Sequence, residues 1–133
     1  MYFARTIPSR QRGVSMIGFL FFAVIAIMLA MLAMKLVPAY IEFFSVKKVL
    51  STMGQDADLR SKSNAEIRSD FSRRAGVSYV TEVKPEDLSI DRRGGVPVIS
   101  ADYAFRTKLI GNVSLVVDFS ASSDPNAVPP QIE

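Results

Sequence analysis

With 133 residues, no Cys, no His and a pI near 9.4, the chain has room for one small domain. It cannot form a disulfide, the commonest zinc sites or a His-assisted nucleophile. The formal charge of +3 is unevenly spread: Arg5, Arg10, Arg12 and Lys35 precede Pro38 without one acid, whereas from Ala39 onward twelve Lys or Arg meet thirteen Asp or Glu. The basic excess therefore marks membrane topology, and no nucleic-acid partner is expected.

Residues 1–13 read as a basic cytoplasmic N-terminus. From Val14 to Met34 about twenty-one residues carry no charge. As a helix rising ~1.5 Å per residue they span roughly 30 Å, the thickness of a bilayer's hydrocarbon core. The pattern predicts a transmembrane helix over 14–37. The three Arg ahead of it place the N-terminus in the cytoplasm and the rest of the chain outside, in the periplasm of a Gram-negative cell. Within the span Ala23, Ala26, Ala30 and Ala33 recur at spacings of three, four and three. They form a seam of small residues that another membrane helix could approach closely, although the ordinary abundance of Ala in such helices gives the same spacing.

Three fates are open to this segment. The apolar run is longer than a secretory signal core, although Val37-Pro38-Ala39 offers a small-x-small cleavage pattern. Arg10-Gln11-Arg12-Gly13-Val14-Ser15-Met16-Ile17-Gly18 resembles the N-terminus of type IV prepilins and pseudopilins. That resemblance implies processing between Gly13 and Val14. Those proteins usually carry Glu at the fifth position after the cut, where this chain has Gly18. A permanent, uncleaved anchor is the expected state.

Residues 38–121 are expected to form a periplasmic α+β domain. Pro38 bends the helix or marks its exit from lipid. Beyond it Leu36, Tyr40, Phe43, Val46, Leu50 and Met53 share one helical face, with Glu42, Ser45, Lys48 and Thr52 opposite. Gly54 is a C-terminal stop, and Gln55 to Lys62 is a loop. Ser63-Asn64-Ala65-Glu66 is a capping box opening a second helix, which buries Ile67, Phe71 and Ala75, places Arg73 and Arg74 in its last turn and ends at Gly76. Val77, Tyr79, Thr81 and Val83 then alternate as a short strand. Leu88 and Ile90 start another, and Arg93-Gly94-Gly95 turns the chain. Ile99, Ala101, Tyr103, Phe105, Thr107 and Leu109 face one way. After the turn at Gly111-Asn112, so do Val113, Leu115, Val117, Phe119 and Ala121. This is an antiparallel meander of three or four strands with one wet face, covered by the helical stripes in a pilin-like two-layer arrangement. Residues 122–133 read as a flexible tail.

Candidate chemistry is sparse. Asp56 and Asp58, helped by Glu86 and Asp87, could meet a cation, but loop solubility explains them and no metal or cofactor is expected. Arg73, Arg74, Arg92 and Arg93 could form a basic patch, or serve dipole matching and solvation. Tyr40, Phe43 and Phe44 could sit at headgroup level or in the core. Ser45, Lys47 and Lys48 lack the signature of a Ser-Lys hydrolase. Asn112-Val113-Ser114 matches a glycosylation pattern in a tight turn. No catalytic residue is assigned.

Taken together, Arg12 to Phe19, Lys35-Leu36-Val37-Pro38-Ala39-Tyr40-Ile41-Glu42, Ser45 to Leu50 and Gly111-Asn112-Val113-Ser114-Leu115 resemble a family of small proteobacterial single-pass membrane proteins known as a domain of unknown function. Its members are often encoded beside signal peptidase I and ribonuclease III. The resemblance implies an inner-membrane protein with an external domain and a link to envelope protein processing, and it implies no activity. The chain is expected to be a non-enzymatic accessory or interaction protein whose partners are the bilayer and another membrane or envelope protein, or further copies of itself. A pseudopilin-like or minor-pilin-like subunit is the alternative.

Overall fold

The computed structural model describes residue 13 and residues 15–127. Arg5, Arg10, Arg12, Val14 and positions 128–133 of the expected tail lie outside the described residues. The chain divides into two compact units, Met1–Ala33 and Met34–Glu133.

Helix α1 runs Met16–Gly54 and contributes to both units. Its portion in the first unit is built almost wholly of Phe, Leu, Ile, Val, Met and Ala, and those side chains are exposed. It is long and apolar enough to cross a bilayer. In the second unit α1 continues through Pro38. Proline brings no N–H, so the Met34 carbonyl is left without its usual helical donor.

The second unit is α+β. Helix α2 spans Asn64–Val77, and strands β1 (Leu88–Asp91), β2 (Val98–Ile110) and β3 (Val113–Ser122) form an antiparallel sheet in the order β1-β2-β3. The register pairs Ile90 with Ile99, Tyr103 with Phe119 and Ile110 with Val113. Gly111 takes φ +53 at the first turn position, which suits a two-residue hairpin. Period-two alternation buries Ile99, Ala101, Phe119 and Ala121 against the helices. The core joins Val46, Val49, Leu50 and Met53 of α1, Ile67, Phe71 and Ala75 of α2, and the inner face of the sheet. The capping box is present in full: Glu66 N–H donates to Ser63 Oγ at 3.3 Å, and Ser63 N–H donates to the Glu66 carboxylate at 2.6 Å.

Five expectations need correction. No strand forms over Val77–Val83: Val77 closes α2, and a loop follows. Gly76 does not end the helix. The left-handed residue is Tyr79, at φ +56, and the Val80 N–H reaches back to the Ala75 carbonyl at 3.0 Å in a Schellman-type closure. Val80 packs on the core, and that apolar contact accompanies this closure. The segment Gln55 to Lys62 contains a 3₁₀ turn, Ala57–Arg60, whose Leu59 is buried. The start of the expected tail is structured: Ser122 lies in β3, Ser123 N–H donates to the Ile99 carbonyl at 2.8 Å, and Ile99 N–H donates to Ser123 Oγ at 2.9 Å. Finally, the α1 stripe is shifted, because Ala39 and Val49 are buried while Tyr40 is 45% exposed.

Candidate functional site

The charged residues singled out from the sequence are drawn largely into internal ion pairs. Asp56 accepts from Arg74 at 2.7 Å and lies 3.6 Å from Lys62, so it bridges the 3₁₀ turn to α2. Lys62 pairs with Asp70 at 2.5 Å. The lysine's hydrogen bond holds the Asp70 carboxyl below the usual range, and the same bond raises the Lys62 ammonium. Arg92 donates to the Asn64 carbonyl oxygen at 2.8 Å and to the Lys62 backbone carbonyl at 2.6 Å. Arg93 pairs with Asp91, whose carboxyl it depresses. Asp87 accepts from the Lys84 N–H at 3.0 Å within its own 3₁₀ turn. Arg73, Arg74 and Arg93 are thus each set against a carboxylate, and Arg92 against oxygen acceptors. Among the described residues no group of three or more acidic side chains is placed to hold a metal ion.

Tyr40 and Phe43 divide from Phe44. Both rings meet Phe119, edge-on at 5.2 Å and stacked at 5.0 Å respectively, and Tyr103 joins them at 5.4 Å. Phe44 is 61% exposed. Ala23, Ala26, Ala30 and Ala33 lie in the helical run of α1, so their spacing sets them on one face. Gly13 is exposed, and the adjoining Val14 lies outside the described residues.

Two features were not legible from the sequence pattern. Glu42, half-buried on α1, accepts the N–H groups of Thr81 and Glu82 at 2.5 and 2.6 Å, fixing the loop after α2 to the helix. Close by, the Tyr103 hydroxyl is shielded and has no hydrogen-bond partner among the described residues. Burial, followed by the charges of Glu42 and Glu82, pushes its pKa up to about 12.

A shallow groove of about 390 Å³ runs between α1 and the end of α2, lined by Lys48, Val49, Thr52, Arg73, Arg74 and Val77. Two large side chains stand out in water here: Val77, which lines the groove, is 79% exposed, and Tyr79, next in sequence to the groove-lining Ser78, is 88% exposed. Tyr79 is also the non-glycine residue held at positive φ, and such outliers cluster at binding surfaces. Arg73 and Lys48 are exposed beside them. An apolar groove with a cationic edge and an exposed aromatic one residue beyond its lining is suited to binding an amphipathic, acidic segment. Sequence spacing could not find it, because Val77 and Tyr79 alternate like strand residues. The only local signal was an exposed-type aromatic beside a run of small residues.

A family model described as a domain of unknown function, DUF4845, matches residues 35–119. No curated protein and no solved structure matches the chain.

Proposed function

Because this chain belongs to the DUF4845 family of unknown function, with the matched region falling within the second unit, we propose that it is a membrane-anchored interaction protein whose external domain binds a partner at the α1–α2 groove. The observation that carries this reading is Tyr79: an exposed aromatic held in a costly backbone conformation next to Ser78, which lines an apolar groove with a cationic edge. The domain is non-enzymatic in this reading and acts by positioning a membrane or envelope protein close to the bilayer. Arg5, Arg10 and Arg12 ahead of the span support an orientation with the domain on the periplasmic side of an inner membrane. A part in envelope protein processing is supported by the gene neighbourhood of the small proteobacterial family that the motifs resemble. The Ala23, Ala26, Ala30 and Ala33 seam gives the anchor its own route to a partner helix or a second copy.

The test is site-specific photocrosslinking of the full chain in its native membrane, with the crosslinker at Tyr79 and, as a control, at Ser89 on β1. The expected result is a discrete adduct from position 79 alone, lost when Lys48→Glu and Arg73→Glu remove the cationic edge. Absence of any adduct, together with monomeric migration in mild detergent, would overturn the proposal.

A second reading is a pseudopilin-like subunit processed after Gly13. It is favoured by one observation, a 39-residue helix whose C-terminal half packs beneath an antiparallel meander. It predicts a mature N-terminus at Val14. Intact-mass measurement of the chain from its native membrane decides it, and an unprocessed N-terminus in cells with active prepilin peptidase rules it out.

A further inference from the structure

The wet face of the sheet is polarised along its length. Arg106 and Lys108 sit toward the β2–β3 turn, with Ile110 and Val113 closing it as a cross-strand pair. Asp102 and Asp118 follow on the same face nearer the middle of the strands, Asp118 opposite Ala104 and Asp102 opposite Ser120. The two tip residues are 62% and 61% exposed, and Val116, paired with Arg106, is 46% exposed. Among the described residues neither Arg106 nor Lys108 enters an ion pair, so both charges face solvent. A hairpin end of β-branched apolar residues in water costs free energy that folding does not recover.

The location of this end is fixed by one bond. The Lys35 ammonium donates to the backbone carbonyl of Lys108. Lys35 is the first charged residue after the apolar run that begins at Val14. The basic side of the tip therefore lies beside the first charged residue after the apolar run, and Asp102 and Asp118 lie farther from that residue along the strands.

We infer that the β2–β3 hairpin tip is a second membrane-docking element, inserting Ile110 and Val113 at the headgroup boundary of an anionic bilayer while Arg106 and Lys108 pair with lipid phosphates. The inference rests on the reading of α1 as a membrane span. The occupant is lipid because the patch is small, β-branched, flanked by cations on one side and tethered at the height of the bilayer surface; apolar insertion and basic attraction to anionic lipid both act there. Docking at two points holds the domain against the membrane, which sets the height at which the groove meets its partner.

The chain contains no Trp, so one introduced indole is a unique probe. The full chain carrying Val113→Trp is reconstituted in nanodiscs of phosphatidylcholine with phosphatidylglycerol, and its emission is read with and without lipids brominated near the headgroup. Ile110→Trp serves if the first variant loses the wild-type circular dichroism, and Ser89→Trp marks the far end of the sheet. The expected result is blue-shifted, quenched emission at the tip and water-like emission at position 89. Replacing Arg106 or Lys108 by Gln lowers the docked-to-free ratio about five-fold for each basic residue. Water-like, unquenched tip emission overturns the inference. So does blue-shifted emission that lipid bromine does not quench, which would place the tip against a second copy. Equal quenching in pure phosphatidylcholine overturns the recognition of anionic lipid. Failure of the folded chain to remain with the discs would instead overturn the spanning reading of α1.

Discussion

Glu42→Ala removes a single acceptor that holds the loop after α2. Its Oε1 receives the Thr81 and Glu82 amides, and the Thr81 hydroxyl lies 3.4 Å from both carboxylate oxygens. Hydrogen bonds to a charged group contribute about 1.5–3 kcal/mol each when the freed partner stays dry. Here the donors lie at the surface and water replaces the lost acceptor, so each bond contributes less. The expected total is about 1–2 kcal/mol for the pair. Glu42→Gln keeps an oxygen in place without the charge and should lose less than half of that. The assay is amide hydrogen exchange on the full chain, read at Thr81 and Glu82, beside denaturant midpoints. A further readout is independent of stability. The Glu42 charge helps to hold the Tyr103 pKa near 12, so both substitutions should lower it. Unchanged protection at the two amides and an unmoved Tyr103 titration in Glu42→Ala would refute the reasoning.

Tyr79→Gly should stabilise the domain by about 0.5–1 kcal/mol, since relief of the left-handed strain outweighs the extra freedom of glycine in the unfolded chain; thermal unfolding measures it, and the same change should weaken partner capture at the groove. Gly54→Ala places a Cβ 2.9 Å from Ser123 Cβ and 3.0 Å from its carbonyl oxygen, a clash that should cost about 1–2 kcal/mol despite the better helix propensity of Ala, checked by denaturant midpoint. Tyr103→Phe deletes a shielded hydroxyl without a partner and should leave stability unchanged or higher. In the wild type the raised Tyr103 pKa gives a stability contribution that is complete below the ordinary value near 10 and lost as pH rises toward 12, so the variant should flatten that alkaline decline in midpoints taken against pH. Asp70 has the opposite sign: its lowered pKa contributes stability above the ordinary carboxylate value and loses it as pH falls through the folded value, so Asp70→Asn should flatten the acid limb of the same profile.

The legible parts of this fold are those in which neighbours in sequence decide the structure. Ser63 and Glu66 announce α2 because both halves of the cap lie three residues apart. The alternation from Ile99 to Leu109 and from Val113 to Ala121 gives the β2–β3 hairpin and its buried face, since strand side chains alternate whatever they pack on. The misread parts depend on contacts distant in sequence. Tyr79 mimics a strand position, yet the closure from Val80 to Ala75 and the clamp from Glu42 fix it in a helix-ending turn. Leu59 is one apolar residue in a polar stretch, and its burial depends on the surrounding core. Glu42 reads as a solvated residue because its donors lie about forty positions downstream. The groove is invisible for the same reason: Lys48 and Arg73 become neighbours only once α1 and α2 have packed.

Phe119 adds a constraint in time. Its partners Tyr40 and Phe43 are made first, and Phe119 follows about seventy-six residues later. At ~5–20 residues per second that interval lasts on the order of 4–15 s, during which the inner stripe of α1 lacks its cover. The hairpin supplying that cover is synthesised after both helices, so the domain cannot complete its core from the N-terminus forward. Loss of the closing segments would leave the apolar stripe of an already synthesised helix open to chaperones and proteases.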